Sequence, residues 1–345
     1  MRLAELLRER WIVQAPMAGG ASTPDLVAAV SGAGGLGSLA AGYLSADALA
    51  ERIAAVRASG TTAFGVNVFV PSGAPAAPEV LAAYREELGP EAGRHGATVG
   101  EPVRDDDAWA AKTDLLVSDP VPVVSFTFGC PSAEVLDRLR AVGSATVVTV
   151  TTVEEARIAV ERGADGVCAQ GSEAGGHRAV FDPAGGGGSP LFALLPEVAA
   201  AVDAPVIAAG GLMNGRDAAR ALELGATAVQ LGTAFLRCPE SGANPVHKAA
   251  LVDPAFTETA LTRAFTGRPA RGLANRFMWE HAQAPTAYPE VHHMTRPLRA
   301  AAASAGDTGG MALWAGDGFR SASDAPAAEV VARLRGEAAE AGVRR

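Results

Sequence analysis

The stretch Pro205-Val206-Ile207-Ala208-Ala209-Gly210-Gly211 leads into a helical run over residues 214–224 with a stop at Gly225. Then comes Ala228-Val229-Gln230-Leu231-Gly232-Thr233. Two short apolar runs, each closed by a glycine turn and separated by one helix, spell strand, helix, strand. The same unit recurs towards the N-terminus. Strand six covers 166–169, after a helix at 153–162 closed by Gly163; strand five at 145–150, a helix at 132–142 and strand four at 121–128 precede it. Further back lie strand three (64–70), a helix (45–59), strand two (37–40) and strand one (11–15). Between the last two, Thr23-Pro24 opens a helix with a capping threonine and a first-turn proline. Eight strands alternating with helices predict an α/β fold of the (β/α)8 TIM-barrel type.

The barrel is expected over residues 1–237, with an insertion after strand three at about 71–120. Prolines and the acidic run Asp105-Asp106-Asp107 loosen the pattern there around one helix at 78–88, and the run reads as a solvated face. Residues 238–309 are expected to form a small, mainly helical cap or substrate domain, and 310–345 a C-terminal segment returning to the barrel mouth. A formal net charge of -9 argues against a nucleic-acid surface or a polybasic membrane patch. The apolar segment 191–213 is cut by Pro196, Glu197, Asp203 and Pro205, and residues 1–10 mix charges among leucines, so neither a membrane span nor a signal peptide is predicted. Cys130, Cys168 and Cys238 are odd in number and far apart, which suits a reducing, cytoplasmic setting and no disulfide framework.

Ligands of such barrels meet the loops at the carboxyl ends of the strands, and the loops after strands seven and eight form a phosphate site from backbone N–H groups. Gly210-Gly211 and Gln230-Leu231-Gly232-Thr233 stand at those two places, with the Thr233 hydroxyl as a further donor. Asn67, a polar amide near the end of apolar strand three, is read as a ligand contact, and Gln170 as facing a ring's polar edge or a phosphate-linked chain. After strand six, Cys168-Ala169-Gln170-Gly171-Ser172-Glu173-Ala174-Gly175-Gly176-His177-Arg178 turns through glycines to present one imidazole. Gly32-Ala33-Gly34-Gly35-Leu36-Gly37 matches a dinucleotide fingerprint literally, but it follows a helix and precedes a strand, the reverse of what that fingerprint needs. Lys112 and Lys248 are the only lysines and neither stands at a strand end, which disfavours a Schiff base; the histidines show no metal-site spacing, and His292-His293 reads as surface or cap packing.

Pro16-Met17-Ala18-Gly19, Gly65-Val66-Asn67, Glu173-Ala174-Gly175-Gly176-His177-Arg178, Ala209-Gly210-Gly211 and Gln230-Leu231-Gly232-Thr233 together resemble the nitronate monooxygenase family, formerly the 2-nitropropane dioxygenases. The likeness continues through Pro239-Glu240-Ser241-Gly242, Phe265-Thr266-Gly267-Arg268-Pro269-Ala270-Arg271-Gly272-Leu273 and Leu313-Trp314-Ala315-Gly316. The resemblance implies a barrel holding non-covalent FMN that oxidises alkyl nitronates, such as propionate 3-nitronate, with O2 to carbonyl compounds and nitrite or nitrate. It implies His177 as the active-site residue. Met17, Asn67, Gln170, Gly175, Gly210, Gly211 and Gln230 to Thr233 (Gln230, Leu231, Gly232 and Thr233) would hold FMN, and no metal is implied.

Two departures from the family pattern are Asp317 and the glycine run 185–188, which predicts a loop at 178–189 that is mobile without substrate. A homodimer is compatible with this reading. The rivals are an NAD(P)H-dependent enoyl-acyl carrier protein or quinone reductase of the same superfamily, and a non-catalytic flavin-binding barrel. The loop sequence Glu173-Ala174-Gly175-Gly176-His177 and the absence of a nicotinamide fingerprint disfavour the reductases.

Overall fold

The computed structural model describes residues 2–71, 73–185 and 188–344. Its strands in chain order are β1 (Ile12–Gln14), β2 (Gly37–Ala40), β3 (Phe64–Phe69), β4 (Val123–Thr127), β5 (Ala145–Val150), β6 (Gly166–Gln170), β7 (Gly176–His177), β8 (Val206–Ala209), β9 (Ala228–Leu231), β10 (Thr259–Thr262) and β11 (Ala270–Leu273). Eight of them form one parallel sheet in the order β1-β9-β8-β6-β5-β4-β3-β2. The seam between β1 and β2 is drawn together by the Gln14 N–H to the Leu36 carbonyl and the Leu36 N–H to the Ile12 carbonyl, each 2.9 Å, which leaves a nearly closed barrel.

Burial explains why the strands read as apolar runs. Val66, Val68, Val124, Phe126, Val148 and Val150 are fully enclosed between the barrel axis and the outer helices. The helices start where capping side chains stand: Thr23, Ser45, Ser132, Thr152 and Asn214 each accept a first-turn N–H. Helix Leu3–Glu9 lays Leu3 against Gly166 at the start of β6, on the end of the barrel opposite the site.

The eighth unit is split. After β9 comes a short turn of helix, Thr233–Phe235, and the chain then leaves the barrel for the cap. It returns as helix Ala327–Glu340, which packs on Gly215–Glu223 and Pro24–Gly32. Exit and return are strapped together by Arg237 donating to the Ala322 carbonyl at 2.8 Å and by the Glu240 carboxylate accepting the Ala327 N–H at 3.1 Å.

The cap differs from the mainly helical expectation. β10 and β11 form an antiparallel hairpin, and β11 pairs with β7, the two residues Gly176 and His177 of the loop after β6. Helices Pro78–Glu87 and Gly89–Arg94 of the excursion after β3 share a core with the cap: Tyr84 and Leu88 pack with Phe265, Phe277, Met294 and Leu298. Residues 109–118, which the sequence reading placed in the insertion without a helix, form helix Trp109–Ser118 and pack on barrel helices Ala46–Ala58 and Ala133–Ala141. Asp105 and Asp106 of the acidic run are exposed, as expected of a solvated face, and the run also acts as a clasp. Asp107 pairs with the buried Lys112 at 2.7 Å and accepts the Tyr43 N–H at 2.8 Å, while Asp105 meets His293 at 2.8 Å.

Among the described residues no helix is long and apolar enough to cross a membrane. Gly37 begins β2 under helix Pro24–Gly32, and a Cβ there would sit 2.4 Å from the Val27 carbonyl oxygen. Since backbone must shift, Gly37→Ala is expected to lose about 1–3 kcal/mol of stability in urea unfolding; an unchanged midpoint would show that the helix slides freely on the sheet.

Candidate active site

At the carboxyl ends of the barrel strands, beneath the cap, lies a cavity of about 610 Å³. Every residue singled out from the sequence borders it: Met17, Asn67, Gln170, Gly175, His177, Gly210, Gly211, Gln230, Leu231, Gly232 and Thr233.

Each wall is fixed by hydrogen bonds, some within one loop and some between neighbouring strands. Below the first loop, the buried Gln14 donates to the Ser22 hydroxyl at 2.9 Å and accepts the Ser38 N–H at 3.0 Å, and Ser22 in turn accepts the Met17 N–H at 2.9 Å. Asn67 gives its amide hydrogens to the Ser125 and Thr127 hydroxyls, both at 3.0 Å, which leaves its carbonyl oxygen as an acceptor on the cavity side. Gln170 staples its own loop, donating to the His177 carbonyl at 3.1 Å and accepting the Ala179 N–H at 2.9 Å. It therefore holds the histidine loop in place as well as bordering the cavity.

The glycines act through close approach. Gly210 and Gly211 have φ of 115° and 71°, and a Cβ on Gly210 would lie 3.1 Å from the Gly171 carbonyl oxygen. A Cβ on Gly175 would lie 2.5 Å from the Gly316 nitrogen, because the loop after β6 is pressed against the returning segment. Gly316 donates its N–H to the Thr233 hydroxyl at 3.0 Å, so the Thr233 proton is available to a ligand. Asp317 holds the same segment to the cap, pairing with Arg271 at 2.9 Å and accepting from the Thr259 hydroxyl.

His177 is half-buried, with Nε2 2.9 Å from the Thr266 hydroxyl. Burial, and then the nearby Arg268 and Arg299, push its pKa down from 6.5 to about 3, so the ring is neutral at ordinary pH. The permanent positive charge beside this imidazole comes from the two arginines. Arg299 borders the cavity, and Arg268 is fully buried with its guanidinium 4.1 Å above the Phe128 ring. Arg178 points away from the cavity, as expected, donating to the Gln170 and Gly171 carbonyls. Phe128 and Tyr43 take positive φ, 80° and 69°, each just past a strand end. Phe128 packs edge-on to His177 at 5.4 Å, while Tyr43 stacks on His292 at 4.2 Å.

Sequence reasoning missed Tyr43, Phe128, His247, Tyr288, His292 and Arg299. The strand-end rule that found Asn67 could have found Tyr43 and Phe128; the helical spacing of His292, Arg296 and Arg299 would have marked one face of helix Glu290–Ala305. His292 and His293 do diverge, the first into the cavity wall and the second to Asp105. Of the glycine run, residues 186 and 187 lie outside the described residues. Glu91, His95 and Asp307 cluster away from the cavity, and Arg276 pairs with Glu91 at 2.5 Å and Asp307 at 3.0 Å.

The family model described as nitronate monooxygenase matches residues 1–337. A nitronate monooxygenase of Pseudomonas aeruginosa is 42% identical over 335 residues, covering 94% of each chain, and a probable nitronate monooxygenase of Bacillus subtilis is 41% identical over 91% of each. The crystal structure of a nitroalkane oxidase from Streptomyces ansochromogenes superposes with a TM-score of 0.93 at 53% identity, over 96% of each chain. FabK from Thermotoga maritima gives 0.74 at 28% identity, over 98% of this chain and 96% of that one.

Three cavity imidazoles are held neutral mainly by burial: His177 near 3, His247 near 4 and His292 near 2. In the unfolded chain each takes a proton below about 6.5, so the stability they contribute above that pH is lost as pH falls below it. The urea midpoint should therefore drop between pH 7 and 5. His292→Phe, which keeps a ring against Tyr43, should show a shallower drop, and an identical slope would mean that His292 titrates normally when folded.

Proposed function

The chain belongs to the nitronate monooxygenase family, a family of oxidoreductases, and from that premise we propose that its cavity holds FMN and that it oxidises alkyl nitronates with O2 to carbonyl compounds and nitrite or nitrate. The observation that carries this reading is the convergence of His177, Asn67, Gln170 and two glycine turns on one cavity.

The residues present suit such a group. Gly210, Gly211 and Gln230 to Thr233 offer backbone N–H groups and one hydroxyl proton to a phosphate. A Cβ added to Gly19 or Gly176 would meet nothing within 4 Å, so both glycines face open cavity space that a ligand could fill. Asn67 offers a carbonyl oxygen and the Met17 loop a fixed backbone edge. Bound flavin would supply electron transfer between nitronate and oxygen.

The protein's own part is charge, shape and one proton. Arg299 and Arg268 create a positive field that favours an anionic nitronate and disfavours imidazolium. Phe128, Tyr288 and Trp314 surround His177 with rings at 5.4, 6.0 and 5.7 Å, which keeps water from the reacting carbon. The neutral imidazole packs beside the reacting carbon and, for a neutral nitroalkane, accepts the α-proton at its free nitrogen. The likeness to a structure titled nitroalkane oxidase supports the second use.

His177→Asn should keep its flavin while turnover falls by about 10²–10⁴, measured as oxygen uptake with propionate 3-nitronate. Full activity in a flavin-replete variant would reduce the histidine to a loop-shaping role. A further test addresses the likeness to FabK: NADH and NADPH should bleach the flavin slowly or not at all under anaerobic conditions, whereas bleaching at the rate of turnover would point to a reductase.

A further inference from the structure

The Thr266 hydroxyl stands between two groups of different capability. Its oxygen is 2.9 Å from His177 Nε2 and 3.2 Å from the Arg268 carbonyl oxygen, and it lies 3.4 Å from the Arg268 backbone nitrogen, whose N–H it accepts. A carbonyl can only accept and a hydroxyl has one proton, whereas an imidazole nitrogen can do either. One assignment makes all three contacts hydrogen bonds: Thr266 O–H to the Arg268 carbonyl, and His177 Nε2–H to the Thr266 oxygen. Thr266 is 1% exposed, so water does not compete for these positions. With Nε2 protonated, the lone pair of the neutral ring is on Nδ1, which no group among the described residues hydrogen-bonds.

We propose that Thr266 is a positioning residue that fixes the His177 tautomer, protonated at Nε2, so that Nδ1 is the basic atom offered to the substrate. The inference rests on the proposed role of His177. In the step it serves, the α-carbon–hydrogen bond of a neutral nitroalkane breaks and the proton passes to Nδ1. The bonding pair stays on the substrate as the nitronate, and the ring's positive charge is shared with the Nε2–H held by Thr266. Nothing else in the loop sets the ring this way, since Gln170 contacts only the His177 backbone.

The test compares Thr266→Val, which keeps the shape and removes the hydroxyl, with Thr266→Ser, which restores it. In ¹⁵N-histidine-labelled, flavin-loaded protein, with the signal assigned by its loss in His177→Asn, wild type should show a pyrrole-like Nε2 and a pyridine-like Nδ1. Thr266→Val should show mixed or reversed tautomers. Its kcat with neutral nitroethane should fall by about 10–10²-fold, within the range for a mispositioned base, with preformed ethyl nitronate changed less than about threefold and Thr266→Ser close to wild type. A pyridine-like Nε2 in wild type, or equal losses on both substrates, overturns the proposal. If wild type oxidises neither substrate, the functional reading fails, and the ¹⁵N spectrum still decides the tautomer.

Discussion

Two backbone residues hold the molecule's parts in register. The ladder between Gly176-His177 and Ala270-Arg271, continued by the Arg178 N–H to the Pro269 carbonyl at 2.8 Å, joins a barrel loop to a cap hairpin. It sets the height of the imidazole above the barrel and brings Thr266 and Arg268, at the hairpin's turn, against that ring. The cap edge is in turn held by Leu313 and Trp314, and Gly316 beyond them reaches Thr233 at the end of β9. Side-chain chemistry at the cavity therefore inherits its precision from main-chain pairing, whose geometry varies little.

The second theme is buried positive charge around the cavity carried by arginine rather than lysine. Arg178 and Arg268 are fully buried and Arg299 is half-buried, and each is compensated by backbone carbonyls or ring faces: Arg178 by Gln170 and Gly171, Arg268 by Val180 and Phe128, Arg299 by the His292 carbonyl. A guanidinium suits this better than an ammonium, because it is less strongly hydrated and its planar fork can bond and stack at once. Burial lowers all three to about 10, still far above neutrality, so the charge persists while the neighbouring imidazoles lose theirs.

What the sequence made legible was whatever is written in short periods. The eight barrel strands and their glycine ends are contiguous signals, and the residues chosen from them do meet in one cavity. The cap sheet was not legible because β7 is two residues long and glycine-led, while Thr259–Thr262 and Ala270–Leu273 lack the alternation of a half-buried strand. The arginines were missed for a related reason. A search for cations at strand ends found lysine absent, but Arg299 arrives from a cap helix and Arg268 from a hairpin turn, joined to the cavity only by tertiary packing. The half-buried Asp107 shows the same limit, since Lys112, its buried partner, lies in a stretch that the sequence reading left as insertion and that the structure makes a helix on the barrel wall.

The cap leaves and rejoins the barrel within one unit, across the straps Arg237 to Ala322 and Glu240 to Ala327. In hereditary terms this separates two kinds of change. The residues proposed to cradle a phosphate stand at the ends of β8 and β9, while Arg299 and His292 belong to the inserted segment. Substitutions, or even gains and losses of length, in that segment leave the strand order and the glycine turns untouched. The architecture thus lets inherited changes in the cap reshape the roof of the cavity while the glycine turns at the strand ends pass down unaltered.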